Sequence, residues 1–531
     1  MMKQFIFPLL TLILLSPSLS NAQKTYENLN DAILSASNLR GANGPRNVVW
    51  INDGEQYSFS KNVNGKQEIW IHDIKSGSET QVFSPDGLKL EDGSDFKYRS
   101  FQWAGDYNYI LFQTNFKPVW RYSGNADYYY YSLEDQELEL IVKQAFTAEV
   151  SPDGKKLGYG KNGNLFMYQF STMKTTQFTD DAEKHFYNGR WGWAYEEEFG
   201  LVQAWKWSHD SKHIAFWQSD ERHVPIYKLT DFSGIHPEYM DVPYPKVGDP
   251  APTVKIGVIN TNKGSTTWVD FDLKGGYIPR MYWTSKENML ALVYMNRPQN
   301  KVEVHMVDVT NKTKNLVYSE TSETWIDIFD FFAGELNHFY FPKDMDNFFF
   351  ISEKDGWAHI YMISYDGSKE EQITSGEFEV IGIKAFDTKK KRLYYVSTEK
   401  SPLERNLFSI KFNGKGKKQI TQAAGNHDVN VSPNGRYYFD RYSSIENPSR
   451  VEFASTDGKT KIDLTDNSKV DSFLKEHFYA PKELFSFKAS DGQELDGYII
   501  KPKEFDPSKS YPLLLDIYGG PGSQRVYNSF G

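Results

Sequence analysis

The chain has 531 residues, a formal net charge of −10 and no cysteine. Its lysines and arginines are scattered, which excludes the concentrated basic face of a nucleic-acid binder, and the lack of cysteine excludes disulfides, thiolate catalysis and zinc–thiolate sites. Hydrophobic residues at 39% and aromatics at 16%, led by Phe (37) and Tyr (34), supply core for two or more units and favour strands over helices.

The N-terminus reads as an export signal over residues 1–22. Lys3 gives a positive start, residues 5–15 are apolar, and Ser20-Asn-Ala22 offers a small-residue cleavage site before Gln23. The apolar run is too short to span a bilayer, and with no cysteine after it a lipoprotein anchor is excluded. The expectation is a soluble periplasmic or secreted protein without stable membrane insertion.

From Trp50 onward one kind of element keeps returning: an apolar entry, a polar turn, then an aromatic or β-branched strand. It occurs at Trp50-Ile-Asn-Asp-Gly54, Trp103-Ala-Gly-Asp-Tyr107, Ser151-Pro-Asp-Gly154 and Trp207-Ser-His-Asp-Ser211. It returns at Trp283-Thr-Ser-Lys286, Lys343-Asp-Met-Asp-Asn347, Asp387-Thr-Lys-Lys390 and Ser432-Pro-Asn-Gly435. Pro sets φ at the second turn position and Gly or Asn accepts the left-handed conformation. Any β-rich chain has such hairpins, but copies at roughly 40–75-residue intervals match the blades of a propeller. The fold expected over residues 41–480 is a mainly β, roughly eight-bladed β-propeller.

Near Phe485 the pattern changes. Phe485-Ser-Phe-Lys-Ala-Ser-Asp-Gly492 leads through Leu495-Asp-Gly-Tyr-Ile-Ile500 to Pro502, and Tyr511-Pro-Leu-Leu-Leu-Asp-Ile-Tyr518 carries a continuous apolar run that suits a strand buried on both faces of an α/β sheet. Residues 481–531 are therefore expected to begin an α/β domain. No Gly-x-Ser-x-Gly or His-Glu-x-x-His occurs, and Asp344-Met-Asp-Asn347 lacks the remaining ligands of an EF-hand, so neither cofactor nor metal is implied.

Between these regions lies Glu196-Glu-Glu198, flanked by Trp191, Trp193, Tyr195 and Phe199. Side chains of a short helix step by about 100°, so three consecutive carboxylates cannot all face water. Held together in a partly apolar setting they repel and require a cation, and an α-ammonium with three donors is one. Composition alone fits both this reading and a solvated acidic face.

Tyr195-Glu-Glu-Glu198 resembles the Y-E-E-E motif of the dipeptidyl peptidase IV family of serine peptidases, within the prolyl oligopeptidase group. The resemblance implies that Glu197 and Glu198 bind the substrate's N-terminus, with Glu196 in support. Trp120-Arg-Tyr-Ser123 is similar to the family's W-R-H-S segment, making Arg121 the ligand for a substrate carbonyl. Tyr244-Pro-Lys-Val-Gly248 with Pro252-Thr-Val-Lys255, Asn296-Arg-Pro-Gln-Asn300, Glu379-Val-Ile-Gly-Ile383 and Arg405-Asn-Leu407 also resemble family segments, in order. Trp325-Ile-Asp-Ile-Phe-Asp330 departs from the pattern: Phe329 keeps an aromatic pocket wall, while Asp330 stands where the family carries Arg. A core position is the commoner fate for such a Phe.

Tyr518-Gly-Gly-Pro-Gly-Ser523 is similar to the loop whose Tyr hydroxyl donates to the oxyanion, a role worth roughly 3–4 kcal/mol to a transition state. The family order puts the catalytic Ser, Asp and His beyond Gly531. The chain thus reads as a truncated α/β-hydrolase with roughly 200 residues to follow. Residues 23–40 are expected to pack on that domain, and the piece alone is expected to be inactive. The implied activity is release of N-terminal Xaa-Pro or Xaa-Ala dipeptides from peptides with a free N-terminus, in a protein that forms a homodimer. A prolyl tripeptidyl peptidase and a non-catalytic envelope propeller that binds peptides or proteins are the alternatives.

Overall fold

Side-chain alternation along the strands decides how this chain packs. In the strand Asn347–Ser352, Phe348 and Phe350 enter one hydrophobic cluster and Phe349 and Ile351 another, and all four are buried. A strand apolar on both faces belongs between two other sheets. The computed structural model, which describes residues 23–41, 44–330, 334–520 and 522–531, repeats this arrangement around a ring. The expected export signal, residues 1–22, lies outside the described residues.

Eight antiparallel sheets follow one another at residues 46–83, 100–145, 147–177, 186–268, 277–321, 339–372, 380–419 and 426–463, forming the eight blades of a β-propeller. Seven hydrophobic clusters join them face to face, each drawing buried residues from neighbouring blades. Last strands such as Lys174–Gln177 and Lys461–Asp463 are exposed throughout, on the outer rim of the ring, whereas the first strand of blade 5, Tyr277–Trp283, is almost wholly buried.

Every recurrent turn of the sequence leads out of the first strand of one blade. In Ser151-Pro-Asp-Gly154 the Gly154 N–H donates to the Ser151 carbonyl at 2.8 Å, and the Ser151 hydroxyl donates to Asp153 at 2.6 Å. Gly154 has φ +70, and a Cβ there would fall 2.3 Å from the Gly105 Cα of blade 2, so two blade turns meet backbone to backbone.

The ring closes between blades 8 and 1 by side chains. Among the described residues no strand crosses this seam. Tyr57 and Phe59 of blade 1 pack with Phe439 and Phe453 of blade 8, and Trp50 Nε1 donates to Asn430 Oδ1 at 2.8 Å.

Beyond the ring, helix α3 (Ser468–Glu476) leads to a hairpin of Glu483–Lys488 and Glu494–Ile499. Lys24 bonds through its N–H to the Glu476 carbonyl at 2.7 Å, tying the N-terminal segment with helix α1 (Leu29–Ser35) to the end of α3. The apolar run at 511–518 departs from expectation: it is not a buried strand. Leu513, Leu514, Leu515 and Ile517 are 80%, 94%, 70% and 73% exposed. A strand exists only through lateral hydrogen bonds, and among the described residues none lies beside this run.

Candidate functional site

The first-strand position of blade 4 is split. Phe186–Asn188 pairs with one end of His213–Asp220 and Trp205–Trp207 with the other, and the chain between them leaves the sheet to form helix α2 (Trp193–Phe199). Gly192 precedes the helix, and Gly200 ends it in the left-handed conformation at φ +63, a common helix terminator. Trp191 stacks on Tyr195 at 4.4 Å between centroids, and Phe199 sits 5.2 Å from Tyr195, one turn along.

With that aromatic face inward, the helical step aims the three glutamates differently. Glu196 is fully buried and accepts through Oε1 from the N–H groups of Tyr122 and Ser123, both at 2.9 Å. It thereby fixes the loop of blade 2 that carries Arg121. Glu197 is one-fifth exposed and accepts from Arg121 Nε at 2.7 Å. Glu198 is open to solvent yet ringed by protein, and that partial desolvation together with the neighbouring Glu197 charge holds its pKa above the ordinary value. The solvated-face reading therefore fits Glu198 alone. Two open carboxylates, one already bound to a guanidinium, form an acceptor pair suited to an ammonium with several donors.

The segments of family likeness surround this helix. Tyr244 packs on Trp193 at 4.4 Å, and Arg297 donates to the Tyr277 hydroxyl and to the Asp249 carbonyl, the latter at 3.0 Å, while the Tyr277 ring lies 5.3 Å from Phe199. Phe329 is partly buried and packs against the cluster that holds Trp191, Tyr195 and Phe199, with the Arg280 guanidinium 5.4 Å from its ring. Asp330 exchanges backbone hydrogen bonds with Glu335 at 2.7 and 2.8 Å. Tyr518 lies apart on the C-terminal segment, 47% exposed, with the Arg525 guanidinium 5.3 Å from its ring. Arg121, Glu196, Glu197 and Glu198 are thus brought together, Phe329 borders the same core, and Tyr518 sits on the segment that follows the hairpin.

Residues 522–531 return to the propeller. Asn528 donates through N to the Leu403 carbonyl at 2.9 Å and through Nδ2 to Glu404 at 2.8 Å, and Arg405 lies 5.3 Å from the Tyr527 ring.

Two charged residues behind α2 carry no sequence signal of their own. Glu221 is 1% exposed, and burial raises its pKa to about 7, against the lowering pull of the Arg190 charge and the Gly192 N–H. Arg190 stands immediately before Trp191, with its guanidinium 4.5 Å from the Phe146 ring and 4.9 Å from the Tyr187 ring. The only hint in the sequence is Gly192 set between two tryptophans.

The probable dipeptidyl peptidase 4 of Arthroderma benhamiae is 27% identical over 500 residues, covering 90% of this chain and 62% of that protein. The dipeptidyl peptidase 4 of Trichophyton rubrum is likewise 27% identical over 500 residues, at 90% and 63%. The crystal structure of Porphyromonas gingivalis dipeptidyl peptidase 4 superposes with a TM-score of 0.87 at 28% identity, covering 96% of this chain and 72% of that one. A putative dipeptidyl aminopeptidase IV from Bacteroides ovatus, at 21% identity and a TM-score of 0.74, shares the fold. The chain thus spans a little under two thirds of these two curated relatives' length. The family model of the dipeptidyl peptidase IV (DPP IV) N-terminal region matches residues 104–449, more than half of the chain, and the chain belongs to that family.

Proposed function

We propose that this chain is the substrate-recognition part of an exported serine exopeptidase that releases N-terminal dipeptides. The observation that carries the reading is the meeting of Arg121 from blade 2 with Glu197, the neighbour of Glu198, on the helix inserted in blade 4. In this reading the glutamate pair binds the peptide's α-ammonium and Arg121 turns to the carbonyl that follows. The site then acts as a ruler, fixing how many residues pass the anchor before the bond that is cut. Phe329 borders the side chain of an early substrate residue, and Tyr518 donates its hydroxyl to the oxyanion of the tetrahedral intermediate. Acyl transfer requires a serine nucleophile with its His and Asp, and these 531 residues contain no Gly-x-Ser-x-Gly elbow. A homodimer of the full-length protein belongs to the same reading.

The test is hydrolysis of a Gly-Pro chromogenic anilide and of an unmodified peptide by the full-length protein and its Glu197→Ala variant. Loss of cleavage in a folded variant supports the amine anchor, and unchanged cleavage sinks it. Mass spectrometry of the products separates dipeptide from tripeptide release. No cleavage of either substrate by the wild type leaves the peptide-binding propeller as the better reading.

A further inference from the structure

Beside its aromatic packing, helix α2 is backed by buried charge at its N-terminal end. Glu196 and Glu221 are 0% and 1% exposed, and a buried carboxylate is destabilising unless hydrogen-bonded and balanced by a positive group. The Glu221 carboxylate presses against Gly192, the residue that starts α2: a Cβ there would fall 2.0 Å from each of its oxygens. Gly192 has φ −86, so room for Glu221, rather than backbone conformation, demands glycine. Arg190 supplies the positive charge, and both Glu221 and Glu196 act on it through space. Arg190 Nε, Glu196 Oε2 and Glu221 Oε1 are all buried without a hydrogen-bond partner, so the three are coupled by charge rather than by direct bonds.

A triad of this kind is no better for stability than apolar residues of the same volume. What it does fix is direction. Glu196 is bound on one side to the loop bearing Arg121 and lies on the same short helix as Glu197 and Glu198, so a small rotation of α2 would move all four groups. We propose that Arg190 and Glu221 are positioning residues of the amine clamp, holding the rear of α2 so that Glu197, Glu198 and Arg121 meet a peptide N-terminus at one set angle. This rests on the amine-clamp reading, and neither residue touches the peptide.

The experiment is calorimetric titration of the 531-residue chain with Gly-Pro-amide and with its N-acetylated form. The readout is the preference for the free amine, which a general loss of stability does not move. Arg190→Gln is expected to cut that preference about tenfold, and Arg190→Lys, which keeps the charge without the planar fork, to restore part of it. A folded Arg190→Gln variant with the wild-type preference overturns the proposal. Where Arg190→Gln does not fold, Gly192→Ala decides, because its methyl displaces the Glu221 carboxylate: a reduced preference supports the positioning role and an unchanged one overturns it. A wild-type chain that binds both peptides equally overturns the clamp itself, and the positioning role with it.

Discussion

Arg121 Nε donates to Glu197 Oε1 at 2.7 Å across 76 residues of sequence, joining blade 2 to the helix inserted in blade 4. Arg121 Nη2 reaches the same oxygen, so the guanidinium engages one side of the carboxylate and leaves Oε2 for a second donor. Arg121 is 60% exposed, and a pair that open contributes little to folding. In the amine-anchor reading its role is to orient Glu197 and to present a guanidinium beside the bound amine.

Arg121→Ala in the full-length protein is therefore expected to leave the fold and its melting temperature unchanged. KM for a dipeptide anilide should rise severalfold with kcat nearly constant, because an interaction made equally in ground and transition states acts on binding alone. A fall in kcat at constant KM would place Arg121 in transition-state stabilisation instead.

In the amine-anchor reading Glu198 sets the acid side of the pH profile. Its carboxyl is held above the ordinary value by partial desolvation and by the Glu197 charge, and only its ionised form binds an ammonium. Affinity for a free-amine peptide should fall, as the pH is lowered, at a pH above the ordinary glutamate value of about 4.3, and again on the alkaline side as the α-amine deprotonates near about 7.7–8.0. Titration of binding against pH checks this; an acid limb at or below the ordinary glutamate value would contradict the geometry.

Glu221 links the site to stability with the opposite sign. Its folded pKa of about 7 lies above the unfolded value, so between these pH values the folded state holds a proton that the unfolded state has lost. Stability from this group is full below the unfolded value and declines as the pH rises towards 7 and slightly beyond. A shift of this size corresponds to about 3 kcal/mol. Glu221→Gln should remove that decline, leaving the variant more stable than the wild type at pH near 8 and nearly equal to it near 5, as read by denaturant melts at each pH. An identical pH dependence in both proteins would refute the assignment.

The propeller was legible because its turns are chemically specific. Ser151-Pro-Asp-Gly154 and Ser432-Pro-Asn-Gly435 carry residues whose backbone preferences leave few alternatives, and runs such as Phe348-Phe-Phe350 announce a strand covered on both sides. The helical step likewise predicts that Glu196, Glu197 and Glu198 diverge. The Arg121–Glu197 contact was not legible in the sequence, since nothing local marks a partner 76 residues away; family likeness put both residues in one site without pairing them. Arg190 and Glu221 were invisible, as single charged residues have no period and no motif. The run at 511–518 is unpaired among the described residues, because an apolar sequence marks a strand's burial while its existence depends on a neighbour.

The last prediction concerns the seam of the ring. Phe439 is 6% exposed and lies 4.9 Å from Tyr57, 5.6 Å from Trp50 and 5.2 Å from Phe453. Elsewhere a blade can lose contact with one neighbour while the chain still joins them, but among the described residues blades 8 and 1 are linked only through side chains and a few hydrogen bonds, among them Trp50 to Asn430 and Arg436 to Glu55. Phe439→Ala should lower stability by about 3–5 kcal/mol, the usual loss for a large buried aromatic. Phe350→Ala, between blades 5 and 6, should lower it by a similar amount. The two should differ in where the ring opens: hydrogen exchange in the Phe439 variant should quicken first in blades 1 and 8, because the cheapest local opening parts the one junction that the backbone does not cross. Faster exchange spread evenly over all eight blades in the Phe439 variant would show that the seam is no weaker than any other junction.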